Sequence, residues 1–363
     1  MSSTTPATTY DPSSILGVRE YLRNSPYDCT DIEELSGGTA NYVFRLKLIQ
    51  PFEGRETLVL KHAKPFVKDH KDFAFGLDRQ KYEVAALRQV RAWLPVDSIV
   101  TVPEVHRFDE EAHAIIMDDA GAGSLPLKEF MQKGKVTTTS AAQIGAALGL
   151  FLGELHKWGK GNETACEAVR ENQQAKNISS YIFYGRMRQT LTGAQVPLLS
   201  EPPLGIEESD LQVLDEIAKE TQQTMLAASD EFIMGDFWPG NIMISLDGTG
   251  DLRQIFILDW ELVKTGLPSA DIGQFSAEIH LLRRFHPDAC GETSTILLKS
   301  FLQEYKRVGK PTDEIMRRAT VQVGAHLIDL TARVKWGEKE LTRTVVREGV
   351  RMLVDGSDVL EFS

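Results

Sequence analysis

Two apolar runs of β type, each closing on a carboxylate, constrain this chain more than any other feature. The first, Glu231-Phe-Ile-Met-Gly-Asp236, opens into Phe-Trp-Pro-Gly-Asn241 and resumes as Ile-Met-Ile244. The second, Ile255-Phe-Ile-Leu-Asp259, continues into Trp260-Glu261. Between them Asp247-Gly-Thr-Gly250 has turn composition, which predicts a hairpin. Asp236 and Asn241 then share one loop, and Asp259 returns on the adjoining strand. Alone, D-x-x-x-x-N is an ordinary turn pattern. The flanking apolar runs and the second carboxylate give it chemical meaning. An Asp so placed can orient an attacking hydroxyl and accept its proton. An Asn and a second Asp supply the hard oxygens that hold Mg²⁺ against the phosphates of ATP. Strand, loop, strand, aspartate is the layout of kinase-type phosphoryl transfer.

The upstream half supplies the other parts of a nucleotide site. Asp31 to Ile49 reads as strand, glycine turn, strand, with Tyr42, Phe44, Leu46 and Leu48 on one face. The turn is Ser36-Gly37-Gly38-Thr39, whose backbone amides can approach phosphate oxygens or can close a plain hairpin. In the next strand, Thr57 to Ala63, Lys61 sits inside an apolar run. A buried lysine needs a phosphate or a carboxylate. Glu83, on the helix predicted over Gly76 to Leu94, is the favoured partner; Glu53 and Asp72 are alternatives, as is a rim lysine with its amine in water. Two more strands, Pro103 to Phe108 and His113 to Met117, precede Asp118-Asp119-Ala-Gly-Ala-Gly-Ser124. That composition marks a candidate hinge where backbone groups could meet adenine, with Asp118 and Asp119 as ribose contacts or solvated linker.

From Leu125 the pattern turns helical. Ala141 to Gly159 is a long apolar helix, and its His156 reads as a core-edge or capping residue. Ile178 to Leu191 carries Tyr181, Phe183, Tyr184, Arg186 and Arg188, either a helix packing its aromatics inward or a pocket wall. Asp271 reads as the N-cap of a helix that also braces the loop. Arg283-Arg284 reads as a solvated face or as a reach toward an anionic group, and His326 and Trp336 as lying where a substrate helix would be.

The expected division is a polar tail over 1–13, a nucleotide-binding part over 14–118, a hinge over 119–124 and a catalytic part over 125–363. A net charge of −12 argues against a nucleic-acid partner. No apolar run reaches membrane-spanning length. Three scattered cysteines, Cys29, Cys166 and Cys290, suggest reduced thiols in a cytoplasmic protein.

Taken together, Leu35-Ser-Gly-Gly38, Asn41-Tyr-Val-Phe-Arg45, Leu60-Lys-His-Ala63, Tyr82-Glu83, Gly235-Asp236 through Asn241-Ile242 and Ile257-Leu-Asp-Trp-Glu-Leu262 form a set. It resembles the aminoglycoside phosphotransferase and choline kinase superfamily of small-molecule kinases. The resemblance is nearest to the methylthioribose kinase branch and, within it, to fungal hydroxytryptamine kinases. It implies a protein-kinase-like, two-lobed α+β fold: an antiparallel sheet with a helix, then a mostly helical lobe. It implies Asp236 as the catalytic base, and Asn241, Asp259 and Glu261 as Mg²⁺ ligands. ATP would meet Lys61, Glu83, Ser36, Gly37, Gly38 and Asn41, with Met117 and Asp119 at the hinge. The acceptor would be a methylthioribose-like or hydroxytryptamine-like alcohol. One departure is Met234, where most of the superfamily has histidine. It leaves open a pseudokinase that binds nucleotide or metabolite without transfer.

Overall fold

The computed structural model describes residues 10–36, 38–194 and 196–356, which leaves Gly37 and most of the expected tail outside the described residues. The chain divides into two compact units, one holding residues up to 93 and 102–122, the other 94–101 and 123 onward.

The first unit begins with helix α1 (Ile15–Leu22), N-capped by the Ser14 hydroxyl. Strands β1 (Cys29–Glu34), β2 (Tyr42–Phe52), β3 (Arg55–His62), β4 (Phe66–Val67) and β5 (His70–Ala74) follow, then helix α2 (Arg79–Trp93). Strand β6 (Val100–Thr101) belongs to the second unit; β7 (Val105–Asp109) and β8 (Ala114–Asp118) return to the first. The main sheet is antiparallel, in the order β1-β2-β3-β8-β7. Period-two alternation decides its faces. Phe44, Leu46, Leu58 and Leu60 join Val18 and Leu22 of α1 in one core. Lys61, one residue on from Leu60, points to the opposite face, where α2 brings Glu83.

Segment 94–101 leaves the expected nucleotide-binding part because Val100 and Thr101 pair in parallel with Ile255 and Phe256. They extend a sheet that also contains β9 (Leu125–Pro126), β11 (Ile242–Leu246) and β12 (Leu252–Ile257), in the order β6-β12-β11-β9. The short pair β10 (Phe232–Ile233) and β13 (Lys264–Thr265) lies at the two ends of this stretch of chain. The rest is helical: α3 (Leu127–Gln132), α4 (Thr138–Gly159), α5 (Glu163–Arg170), α6 (Gln173–Ser180), α7 (Met187–Leu191), α8 (Pro197–Ser200), α9 (Glu208–Ala227), α10 (Pro268–Phe285), α11 (Pro287–Gly309), α12 (Asp313–Asp329) and α13 (Lys339–Val354).

Two sequence expectations change. The stretch 178–191 is not one helix: a π turn, Tyr181–Gly185, separates α6 from α7. It sends Phe183 against His326 and Tyr184 toward Gln322, whose Oε1 accepts the phenol hydrogen at 2.7 Å. Arg283 and Arg284 are not a solvated face. Arg284 pairs with Glu348 at 2.7 Å, and Arg283 meets His280 Nδ1 at 2.8 Å. Among the described residues no helix is long and apolar enough to cross a membrane. Cys29, Cys166 and Cys290 are buried free thiols.

Candidate active site

In the first unit Lys61 Nζ donates to Glu83 Oε1 at 2.7 Å, with both side chains almost fully buried. Register explains the meeting. Lys61 lies between Val43 and Ile115 in the middle of the sheet, and α2 covers that face. The turn residues Ser36 and Gly38 are exposed. Asn41 is buried, and its Oδ1 accepts from Arg79 Nη2 at 2.9 Å, which ties the start of β2 to α2. Met117 sits near the end of β8, opposite Val59. Asp119 is committed to Arg45, accepting from Nε at 2.7 Å and Nη2 at 3.2 Å. Its side chain is therefore held in a buried ion pair and is not a solvated linker.

In the second unit the predicted hairpin forms. Asp247 Oδ1 accepts the backbone amides of Thr249 and Asp251, closing the turn between β11 and β12. Ile242 pairs with Ile257, so Asn241 comes beside Leu258, whose amide donates to the Asn241 carbonyl at 2.8 Å. Asp259 follows at once. Asn241 Nδ2 donates to Asp236 Oδ2 at 2.8 Å and to the Asp236 carbonyl at 3.1 Å. Its amide oxygen is the atom it has to offer a cation. Asp259 holds φ +63, a left-handed backbone that aspartate tolerates at a cost and that concentrates at functional positions. Trp260 is fully buried and its indole donates to the Ile257 carbonyl. Anchored there, it leaves its neighbours Asp259 and Glu261 with carboxylate oxygens within 4.8 Å of each other. An amide oxygen and two carboxylates are the donor set that Mg²⁺ takes.

Burial and the nearby Asp259 charge push the Asp236 carboxyl up to about 7, against hydrogen bonds from Gln274 and Asn241 that pull it down. A carboxylate at that value is poised to accept a proton near neutral pH.

Asp271 braces the loop, as its sequence position suggested, and several further supports escaped sequence reasoning. Gln274 on α10 donates to Asp236 Oδ1 at 2.6 Å. Asp271 does not cap α10, whose N-cap is Leu267. Its two oxygens accept the backbone amides of Met234 and Gly235, at 3.0 and 2.8 Å. His156 Nε2 stands 3.1 Å from Asp271, and its Nδ1 is 2.9 Å from the Tyr305 hydroxyl. His156 is thus part of the brace behind the loop. Lys264, buried and depressed to about 8 by desolvation, donates to the Leu262 and Gly235 carbonyls. Gly235 is required at its position: φ is +81, and a Cβ would lie 2.2 Å from Lys264 Nζ. Asp271 and Gln274, two polar side chains three residues apart on α10's period, were the sequence signal for this support.

An antiparallel sheet with a lysine–glutamate pair, and a helical unit with an aspartate loop and a second acidic turn, define a phosphotransferase of the kinase type. The chain belongs to the phosphotransferase enzyme family, whose model matches residues 31–307. It is 30% identical over 334 residues to the 4-hydroxytryptamine kinase of Psilocybe cubensis, covering 90% of this chain and 88% of that protein. Among solved structures it is similar to a microcompartment-associated aminopropanol kinase (TM-score 0.54, 15% identity, 96% of this chain and 100% of that one). It is also similar to a choline kinase from Streptococcus pneumoniae (TM-score 0.52, 15% identity, 93% and 98%). The fold is therefore the α+β, protein-kinase-like one.

Proposed function

We propose that this protein transfers the γ-phosphate of ATP to a hydroxyl of a small, hydroxytryptamine-like metabolite, with Mg²⁺ and in the cytoplasm. One observation carries the reading: Asp236, held between the Gln274 and Asn241 amides, stands beside the strained, acidic turn at Asp259. Asp236 aligns the acceptor hydroxyl and takes its proton. Asn241, Asp259 and Glu261 would hold Mg²⁺, which when bound neutralises charge on the phosphates. In the first unit Lys61, oriented by Glu83, is assigned to the α- and β-phosphates. Ser36, Gly38 and Asn41 are assigned to the turn that meets them. Similarity to a hydroxytryptamine kinase along nine-tenths of the chain favours that acceptor over methylthioribose.

Met234 is the observation behind the pseudokinase alternative. Asp271 binds the loop through the backbone amides of Met234 and Gly235, so this bracing needs no histidine side chain at position 234. An ATP-consumption screen over 4-hydroxytryptamine, methylthioribose, choline and an aminoglycoside decides between the two. Acceptor-dependent consumption with 4-hydroxytryptamine is expected. Thermal stabilisation by ATP with Mg²⁺, without consumption on any acceptor, would establish the pseudokinase instead.

A further inference from the structure

Lys128, on α3, sits in a cage of aromatic rings and one carboxylate. Its Nζ lies 3.6 Å from the Trp336 ring centroid and 5.4 Å from that of Trp238. Glu278 Oε2 is 3.2 Å away. The walls are fixed from behind. His326 Nε2 meets Glu278 Oε1 at 3.0 Å, and Phe285 stacks on Trp336. Burial works to raise the Glu278 carboxyl, yet hydrogen bonding by His326 and the charge of Lys128 prevail and hold it below the usual range. Two indole faces and a buried carboxylate are the surroundings that a partly desolvated ammonium prefers.

The cage adjoins the catalytic loop. Trp238 follows Asp236 by two residues. Gln274, which hydrogen-bonds Asp236, precedes Glu278 by about one helical turn on α10, ~5.4 Å along the axis. Lys128 keeps 23% of its side chain exposed, so water reaches it, and its flexible stem can carry the ammonium out to solvent.

We propose that Trp238, Trp336 and Glu278 form the ammonium subsite for the phosphate acceptor, and that Lys128 is a built-in cation that fills it until an acceptor displaces it. The word acceptor rests on the function proposed above; the preference of the cage for a cationic amine stands apart from it. The ligand class is a compact protonated or methylated amine whose hydroxyl reaches Asp236 from an ammonium seated at Glu278. Exchange replaces one cation by another, so Glu278 is never left as a buried unpaired charge. A neutral hydroxy compound cannot make that exchange.

Calorimetric titration with tryptamine, an amine with no hydroxyl to phosphorylate, tests the subsite separately from transfer. Lys128→Met is expected to bind tryptamine about tenfold more tightly than the unaltered protein, because the internal competitor is gone. Glu278→Gln and Trp336→Leu are expected to bind it at least about tenfold more weakly. The neutral analogue 3-ethylindole should show no gain in Lys128→Met. A gain of affinity cannot come from misfolding, so that variant keeps the test decisive if the other two fold poorly. Tryptamine affinity unchanged or reduced in Lys128→Met, or undiminished in Glu278→Gln, would overturn the proposal.

Discussion

Asp236 takes its properties from the groups that touch it. Gln274 donates at 2.6 Å and Asn241 at 2.8 Å, and both bonds favour the ionised form against burial and the Asp259 charge. Gln274→Leu keeps the volume and removes one of those donors. We expect it to lower kcat about tenfold and leave the KM for ATP within about twofold, read by steady-state kinetics. An equal loss through KM for ATP would show that Gln274 acts elsewhere. Lys61 and Glu83 make a second residue-scale case. A pair this enclosed contributes little net stability, yet breaking it strands a charge. Lys61→Met should cost about 3–5 kcal/mol in unfolding free energy and abolish use of ATP. The double variant Lys61→Met/Glu83→Leu should recover most of the stability and none of the activity. Denaturant melts with parallel ATPase assays check both. Recovery of activity in the double variant would remove Lys61 from the nucleotide site.

At the scale of elements, the brace behind the loop depends on how closely two helices approach. Along α4, Gly145, Gly149 and Gly153 face α11. A Cβ on Gly149 would lie 2.2 Å from the Phe301 carbonyl, and one on Gly145 equally near that of Leu297. This bare stripe lets α4 bring His156 within 2.9 Å of Tyr305 on α11, and so to Asp271. Gly149→Val should push the helices apart, destabilise the protein by about 1–3 kcal/mol, and lower kcat more than the KM for ATP. Unchanged thermal unfolding would refute the close-approach account. Much at this scale was legible in the sequence. The hairpin followed from two apolar runs around Asp247-Gly-Thr-Gly250, and the Lys61–Glu83 contact from one lysine in an apolar strand. Asp271 was legible as a brace, but its partners were not, because they lie back at residues 156, 234 and 235 and nothing local specifies them. The π turn at Tyr181–Gly185 was hidden too: its residues fit a helical period, and only packing on Gln322 and His326 breaks it.

At the scale of the whole molecule, stability carries a pH dependence from an acid far from the loop in sequence. Asp329 is fully buried, and desolvation pushes it up to about 7 despite a hydrogen bond from Thr190 and the nearby charges of Arg186 and Arg333. Its folded value lies above its unfolded one, so the folded state holds the extra proton between about pH 4 and 7. Stability from this group is fully present below that window and is lost as pH rises through it, by at most ~1.4 kcal/mol per pH unit. Asp329→Asn should therefore raise the melting temperature relative to the unaltered protein more at pH 8 than at pH 5. An equal shift at both pH values would mean that Asp329 is already ionised when folded. The sequence placed this residue on a helix and no more. Its value depends on what surrounds it, as do the cage around Lys128 and the pairing of 94–101 with β12.

The account stands on Asp236 as the group that aligns and deprotonates an acceptor hydroxyl. Phosphorus NMR of the products formed from ATP, Mg²⁺ and 4-hydroxytryptamine, by the unaltered protein and by Asp236→Asn, tests this most directly. A phosphate ester should accumulate with the unaltered protein, and ~10²–10⁴-fold more slowly with the variant. Ester formation by Asp236→Asn at the unaltered rate would contradict it.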